Sequence, residues 1–172
     1  MGQYRAAVLA SVFEATGIGD TVDWFEFPLS GGFDGKFVVA AAEVGTSGEH
    51  IVFNLPTYST DVFVALTDKA TRDVALILAN LEDYERENDI RLGLGEAVIL
   101  PNVTNGPFGV LLLRTATLAD VAAIPDTADI AGQPTAFLLA VPLSKEEYDF
   151  RASRGHDALM NHFEGTAKSL AF

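Results

Sequence analysis

Three histidines are the side chains of this sequence best suited to acid–base work or metal binding near neutral pH, because it contains no cysteine. His156 and His162 stand six residues apart in a stretch that reads as a helix, and this spacing turns them to different faces. Asp157 and Glu164 beside them give no recognised zinc spacing, so the sequence assigns no metal ligand, no catalytic residue and no cofactor. The His156, Asp157 and His162 region is the alternative reading, a small enzyme or metal-binding protein. His50 opens a strand after Gly48-Glu49, the place of an exposed turn residue. Ser47 precedes it by three residues, but no strand–turn–helix elbow surrounds the serine, and a hydrolytic pair is not expected.

The glycine-rich segments fare no better as phosphate sites. Gly93-Leu94-Gly95-Glu96 lacks a third glycine, precedes a strand and carries an acid where phosphate would be repelled. It reads as a turn. Gly45-Thr46-Ser47-Gly48 lacks the lysine of a phosphate loop and is flanked by strands. Carboxylates are the abundant functional group. Glu82, Asp83, Glu85, Glu87 and Asp89 form one dense run, and Glu146, Glu147 and Asp149 another. Such runs form solvated helix faces, which suit the binding of a basic protein better than acid–base catalysis. Catalysis needs carboxylates buried unequally, so that their pKa values separate. The first run, Glu82 to Asp89, is the candidate partner-binding surface, with an exposed strand edge as a further docking strip.

The elements that must position these residues follow from periodicity. Val8, Leu9, Val12 and Phe13 recur at helical spacing between Gln3 and Thr16, and Gly17 stands at the stop. Three strands are predicted at Thr21–Phe27, Lys36–Val44 and His50–Leu55, joined by turns at Ser30-Gly31-Gly32, Asp34-Gly35 and Gly45 to Gly48, an antiparallel meander. Lys36–Val44 is apolar at nearly every position, as in a strand covered on both faces. Val74, Ile77, Leu78, Leu81 and Tyr84 mark the buried stripe of a helix over Thr71–Glu87, with the charged residues opposite. Ala97–Leu100, Phe108–Leu113 and Thr135–Val141 read as further strands, with Ala116–Gln133 as a loop holding a short strand or turn. Ser144 and Glu147 form a capping box at the start of a helix, and a short last helix follows Gly155, with Leu159 and Phe163 inside. The fold class is therefore α/β, with a mixed, mainly antiparallel sheet covered by helices in one domain over 1–172.

The 172 residues carry 11 basic and 24 acidic side chains, a net charge of −13. This lacks the electrostatic footprint of a phosphate-backbone binder, so nucleic acid is not expected. A basic protein is the simplest partner for so acidic a chain. Monomer and homodimer are both open. The longest apolar runs, such as Phe37–Ala42 and Val74–Ala79, fall far short of the ~20 residues of a membrane span. Absence of cysteine and of a secretory pattern fits a cytoplasmic location without membrane association.

Read together, the C-terminal pieces have a familiar order. Leu78-Ala79 lies in a helix with an acidic and aromatic end. Leu92 to Gly95, Ile99 to Asn102 and the strand Pro107 to Leu113 follow. The segment Phe137 to Leu143 then leads into Ser144-Lys145-Glu146-Glu147 and a helix closing at Gly155-His156-Asp157-Ala158-Leu159. Upstream, one strand ends at Gly45-Thr46-Ser47 and another at Leu55-Pro56. This pattern resembles the suppressor of fused domain family over about 20–164, most specifically in Ala140 to Glu147. It departs from the family where Glu96 follows Gly95 in place of a histidine and where the preceding tryptophan is absent. The resemblance implies an α/β sandwich and a binding module rather than an enzyme. Larger animal members sequester a transcription factor in Hedgehog signalling by clasping a peptide as an added strand. A stand-alone domain resembles the bacterial members, proposed as immunity proteins that neutralise toxins of polymorphic toxin systems.

Overall fold

The run at 36–44 has no polar face to turn to water, and it lies inside a sheet covered on both sides. A computed structural model describes residues 2–17, 21–28, 35–45, 48–68, 71–100, 106–118 and 120–172. The chain begins with helix α1 (Gly2–Thr16), followed by strands β1 (Asp23–Pro28), β2 (Lys36–Val44), β3 (Glu49–Leu55) and β4 (Val62–Thr67). Helix α2 (Thr71–Asn88) leads to strands β5 (Ala97–Ile99), β6 (Gly109–Arg114), β7 (Thr127–Ile130) and β8 (Gln133–Leu143). Helices α3 (Lys145–Arg154) and α4 (His156–Thr166) close the sequence of elements. The predicted turns at 30–34 and 46–47, and with them Ser47, lie outside the described residues.

The strands form an eight-stranded sheet in the order β1-β2-β3-β4-β8-β6-β5, with β7 paired to β8 off this path. All described pairings are antiparallel except β4 with β8, where Val62 lies beside Phe137 and Val64 beside Leu139. The mixed, mainly antiparallel α/β fold expected from the sequence is therefore present, with β1 and β5 at the sheet edges. The meander gains a fourth strand, β4, that the sequence reading passed over. Its signal is the apolar run Val62 to Leu66, buried on both faces but too short to separate from its surroundings by periodicity. A parallel partner cannot be reached by a tight turn, and α2, β5 and β6 lie within the crossover from β4 to β8.

On one face α2 sets Val74, Ile77, Leu78 and Leu81 against Val52, Phe63, Leu112 and Leu138. On the other, Tyr4, Val8 and Val12 of α1, spaced i, i+4, i+8, meet Phe53, Val62, Val64 and Phe137. Each fully buried phenylalanine or leucine contributes about 1.5–3 kcal/mol by leaving water. A smaller cluster joins Leu159 and Phe163 of α4 to Leu111 and Leu143. The capping box forms as predicted: Glu147 N donates to Ser144 Oγ, and Ser144 N donates to Glu147 Oε2 at 2.8 Å.

Gly109 packs closely against β5, since a Cβ built there would stand 2.7 Å from the Val98 carbonyl oxygen. Backbone cannot give way as a flexible side chain can. Gly109→Ala is expected to destabilise the fold by about 1–3 kcal/mol in urea unfolding, with loss of amide protection in β5; unchanged stability would contradict this packing.

Candidate functional site

The sequence predicts one solvated acidic patch at Glu82, Asp83, Glu85, Glu87 and Asp89, and the structure divides it. Glu82 and Glu85 are fully buried, Asp83 is half-buried against Arg86 at 2.7 Å, and Glu87 and Asp89 are exposed. The inner face of α2 runs Val74, Leu78, Leu81, Glu85 and, beside it, Ala75, Ala79, Glu82. Those offsets of three and four keep both glutamates under the helix, whereas Tyr84, expected inside, is 41% exposed. The stripe is phased one residue away from the predicted one at its C-terminal end.

Glu82 has a structural partner for each carboxylate oxygen. Asn54 Nδ2 donates to Oε2 at 3.0 Å, while the backbone N–H groups of Thr57 and Tyr58 donate to Oε1 at 2.5 and 2.6 Å. Ser59 N adds a longer contact at 3.4 Å. Burial pushes the Glu82 carboxyl above its ordinary pKa, against the pull of these donors. Asn54 Oδ1 in turn accepts from Phe63 N at 2.7 Å, so the β3–β4 loop is pinned at its base and its tip.

The same loop is held from two other directions. Tyr4 Oη of α1 donates to Thr60 O and lies 2.6 Å from Thr135 Oγ1, while Arg5 Nε donates to Pro56 O at 3.0 Å. Asp61 is buried, accepts from the Arg91 guanidinium through both oxygens, and accepts the Ala136 N–H at 3.2 Å. Arg91 itself remains 59% exposed.

Between this loop and the end of α2 lies a cleft of about 380 Å³ lined by Tyr58, Ser59, Thr60, Glu85, Ile90 and Arg91. Glu85 Oε1 accepts the Leu92 N–H at 2.7 Å, but buried Oε2 has no partner at hydrogen-bond geometry among the described residues. Burial pushes the Glu85 pKa to about 7; the Leu92 amide and Ser59 side chain lower it, and the charges of Asp61 and Glu82 raise it. Tyr58 Oη donates to Asp89 Oδ1 at 3.1 Å on the rim. Sequence reasoning missed Asn54, Asp61 and Arg91. The available signal was a lone amide inside the apolar run Ile51–Leu55.

The histidine region is not assembled as one site. His156 lines a separate cleft of about 560 Å³ with Leu94, Gly95, Leu112 and Met160, but Asp157 and His162 are exposed and do not line it. The His162 ring lies 5.3 Å from Phe150. No group of three His, Asp or Glu side chains could hold a metal ion among the described residues. No helix among them is long and apolar enough to cross a membrane.

These features define a mixed-sheet α/β sandwich whose buried polar anchors converge on one loop. A solved structure shares that architecture. A protein described as a suppressor of fused homologue from Neisseria gonorrhoeae superposes with a TM-score of 0.76 at 13% identity, covering 100% of this chain and 94% of that one. A complex of suppressor of fused with Fu gives 0.48 at 10% identity, covering 81% of this chain and 67% of that one. Drosophila suppressor of fused gives 0.47 at 10%, covering 81% and 37%. No family model and no curated protein matches the sequence. The chain thus has a suppressor-of-fused-like fold.

Two outcomes follow from the buried acids. Glu82→Leu strands the Thr57 and Tyr58 amides and Asn54 Nδ2, and is expected to destabilise by about 3–5 kcal/mol in chemical denaturation. For Glu85, the folded pKa lies above the ordinary glutamate value, so the folded state binds the proton more tightly. Its contribution is present at acid pH and lost as pH rises from about 4.5 toward 7. Between pH 5 and pH 8 the native chain should lose about 1–2 kcal/mol more stability than Glu85→Gln, after discounting for water in the cleft; parallel profiles would contradict the assignment.

Proposed function

We propose that the chain is a non-catalytic protein-binding domain that engages a basic protein through the C-terminal end of α2 and the adjoining β3–β4 loop. The observation that carries this reading is the cleft rim, where the exposed Tyr58 ring donates to exposed Asp89 beside the exposed side chain of Ile90, with Glu87 and the Tyr84 ring exposed on the last turns of the same helix. Apolar rings bordered by charge are the composition of a docking surface. Electrostatics support the sign of the partner. Asp89 and Glu87, the latter 3.6 Å from Arg86, lie at the helix end that already bears the partial negative charge of the backbone carbonyls, with Arg86 the basic residue of the last turn. A cationic partner relieves that conflict. The net charge of −13 steers such a partner over longer range.

Neutralisation of a toxin is the finer form of this reading. A basic toxin that acts on nucleic acid matches the charge. In this role the chain acts by occupying the partner's surface, not by turning over a substrate.

Immobilised chain exposed to lysate of the source organism, with mass spectrometry of the retained proteins, tests the proposal. A basic protein should be retained at low salt and released as salt rises toward about 0.5 M. The double variant Glu87→Lys, Asp89→Asn leaves the buried acids intact, and asparagine tolerates the positive φ of 51° at position 89. It should weaken retention at least about tenfold. Retention of no basic protein, or equal retention by the variant, would contradict the reading.

A further inference from the structure

We infer that the cleft between the β3–β4 loop and the end of α2 is a receptor for a primary ammonium group, the side chain of a lysine, held by Glu85 Oε2. This deepens the protein-binding reading and rests on it for the lysine's source. Four observations carry it. Glu85 is fully buried, lines the cleft, and leaves Oε2 without a partner at hydrogen-bond geometry among the described residues, the Ser59 side chain being the polar group beside the carboxyl, although unpaired buried acceptors are rare in folded proteins. Its other oxygen is occupied by the Leu92 amide, so the acid offers a single acceptor point. A planar guanidinium seeks two parallel oxygens; a compact ammonium needs one.

Third, the local charge is unbalanced. Buried Asp61 and Glu85 share one guanidinium, that of Arg91, and both Asp61 oxygens already hold it. Glu82 is stabilised by amide dipoles, not by a cation. A positive charge entering the cleft therefore meets an acid without a counter-ion, and Arg91 is neutralised by Asp61. Fourth, the rim matches the rest of a lysine. Tyr58 and Ile90 are 46% and 43% exposed, and a four-carbon stem lying along them would shield their apolar surface while its head reaches inward.

The site is sensitive to pH in the physiological range. The groups facing Glu85 are the Ser59 side chain and Asp61 from the loop, Glu82 of α2, Arg91 beyond the helix, and the Tyr58–Asp89 and Arg86 groups at the rim. Burial holds the free acid near pH 7. An ammonium partner binds the ionised form, and so favours alkaline conditions.

The test uses isotope-labelled full chain and a defined probe, Nα-acetyl-lysine N-methylamide, with the uncharged norleucine analogue as control. Saturable amide shifts are expected at Ser59, Thr60, Ile90 and Arg91, about tenfold tighter at pH 8 than at pH 6. The norleucine analogue and the Glu85→Gln variant should each reduce the response at least about tenfold. In the native chain, saturating probe should also lower the carboxyl titration midpoint of Glu85, a readout that does not depend on the variant folding. No saturable shift at pH 8, equal binding of norleucine, or an unmoved Glu85 midpoint would overturn the inference. Because no protein partner is used, such a failure would leave retention of a basic protein as a separate result, and failure of that retention would leave the ammonium site standing on its own.

Discussion

A glutamate carboxylate placed beneath the backbone amides of Thr57 and Tyr58 is the constraint on which the organised end of this molecule depends. Burying Glu82 without donors would cost several kcal/mol, so the β3–β4 loop must hold one conformation to supply them. That conformation in turn orients Asn54 toward the Phe63 amide and places Asp61 where Arg91 can reach it. Helix α2 is thus joined to the sheet by polar bonds at its C-terminal half and by Val74, Ile77 and Leu78 at its N-terminal half. The two kinds of contact divide the labour: apolar burial supplies most of the stability, and the polar bonds fix the register of loop against helix.

Rigidity at the loop has a consequence for Glu85, one turn further along α2. The loop closes over it and removes water from its carboxyl, leaving Oε2 buried without a hydrogen-bond partner among the described residues. Tyr4 and Arg5 of α1 brace the loop from behind, and Thr135 and Ala136 of β8 complete the frame. The cleft is therefore formed by the β3–β4 loop, α2 and the residues just after it, on a scaffold whose two faces are both covered. Its acidic character conflicts with the partial negative charge of the helix end that carries it.

Much of the scaffold was legible because its causes are local. The bounds Lys36–Val44 follow from a continuous apolar run, and the start of α3 follows from the chemistry of Ser144 and Glu147. The fold class and the suppressor-of-fused-like architecture were legible as an order of such pieces. The site was not, because its bonds join residues far apart in sequence: Asn54 to Glu82, Thr57 to Glu82, and Asp61 to Arg91, separated by 28, 25 and 30 positions. Charged residues on a helix are read as its wet face by default. Only the amides of Thr57, Tyr58 and Leu92 reveal why Glu82 and Glu85 turn inward and Tyr84 turns out. Strand β4 escaped for a related reason, since its burial on both faces depends on α1 and α2 together.

The central claim is that Glu82 holds the loop in place, and amide hydrogen exchange at Thr57 and Tyr58 measures it most directly. In the native chain these two amides should exchange slowly, in step with β3 and β4, although they lie in a loop. In Glu82→Gln they should speed up by about tenfold or more, equivalent to about 1.4 kcal/mol of local opening, with smaller changes in the strands. Rapid exchange of both amides in the native chain, or no change on substitution, would contradict the account.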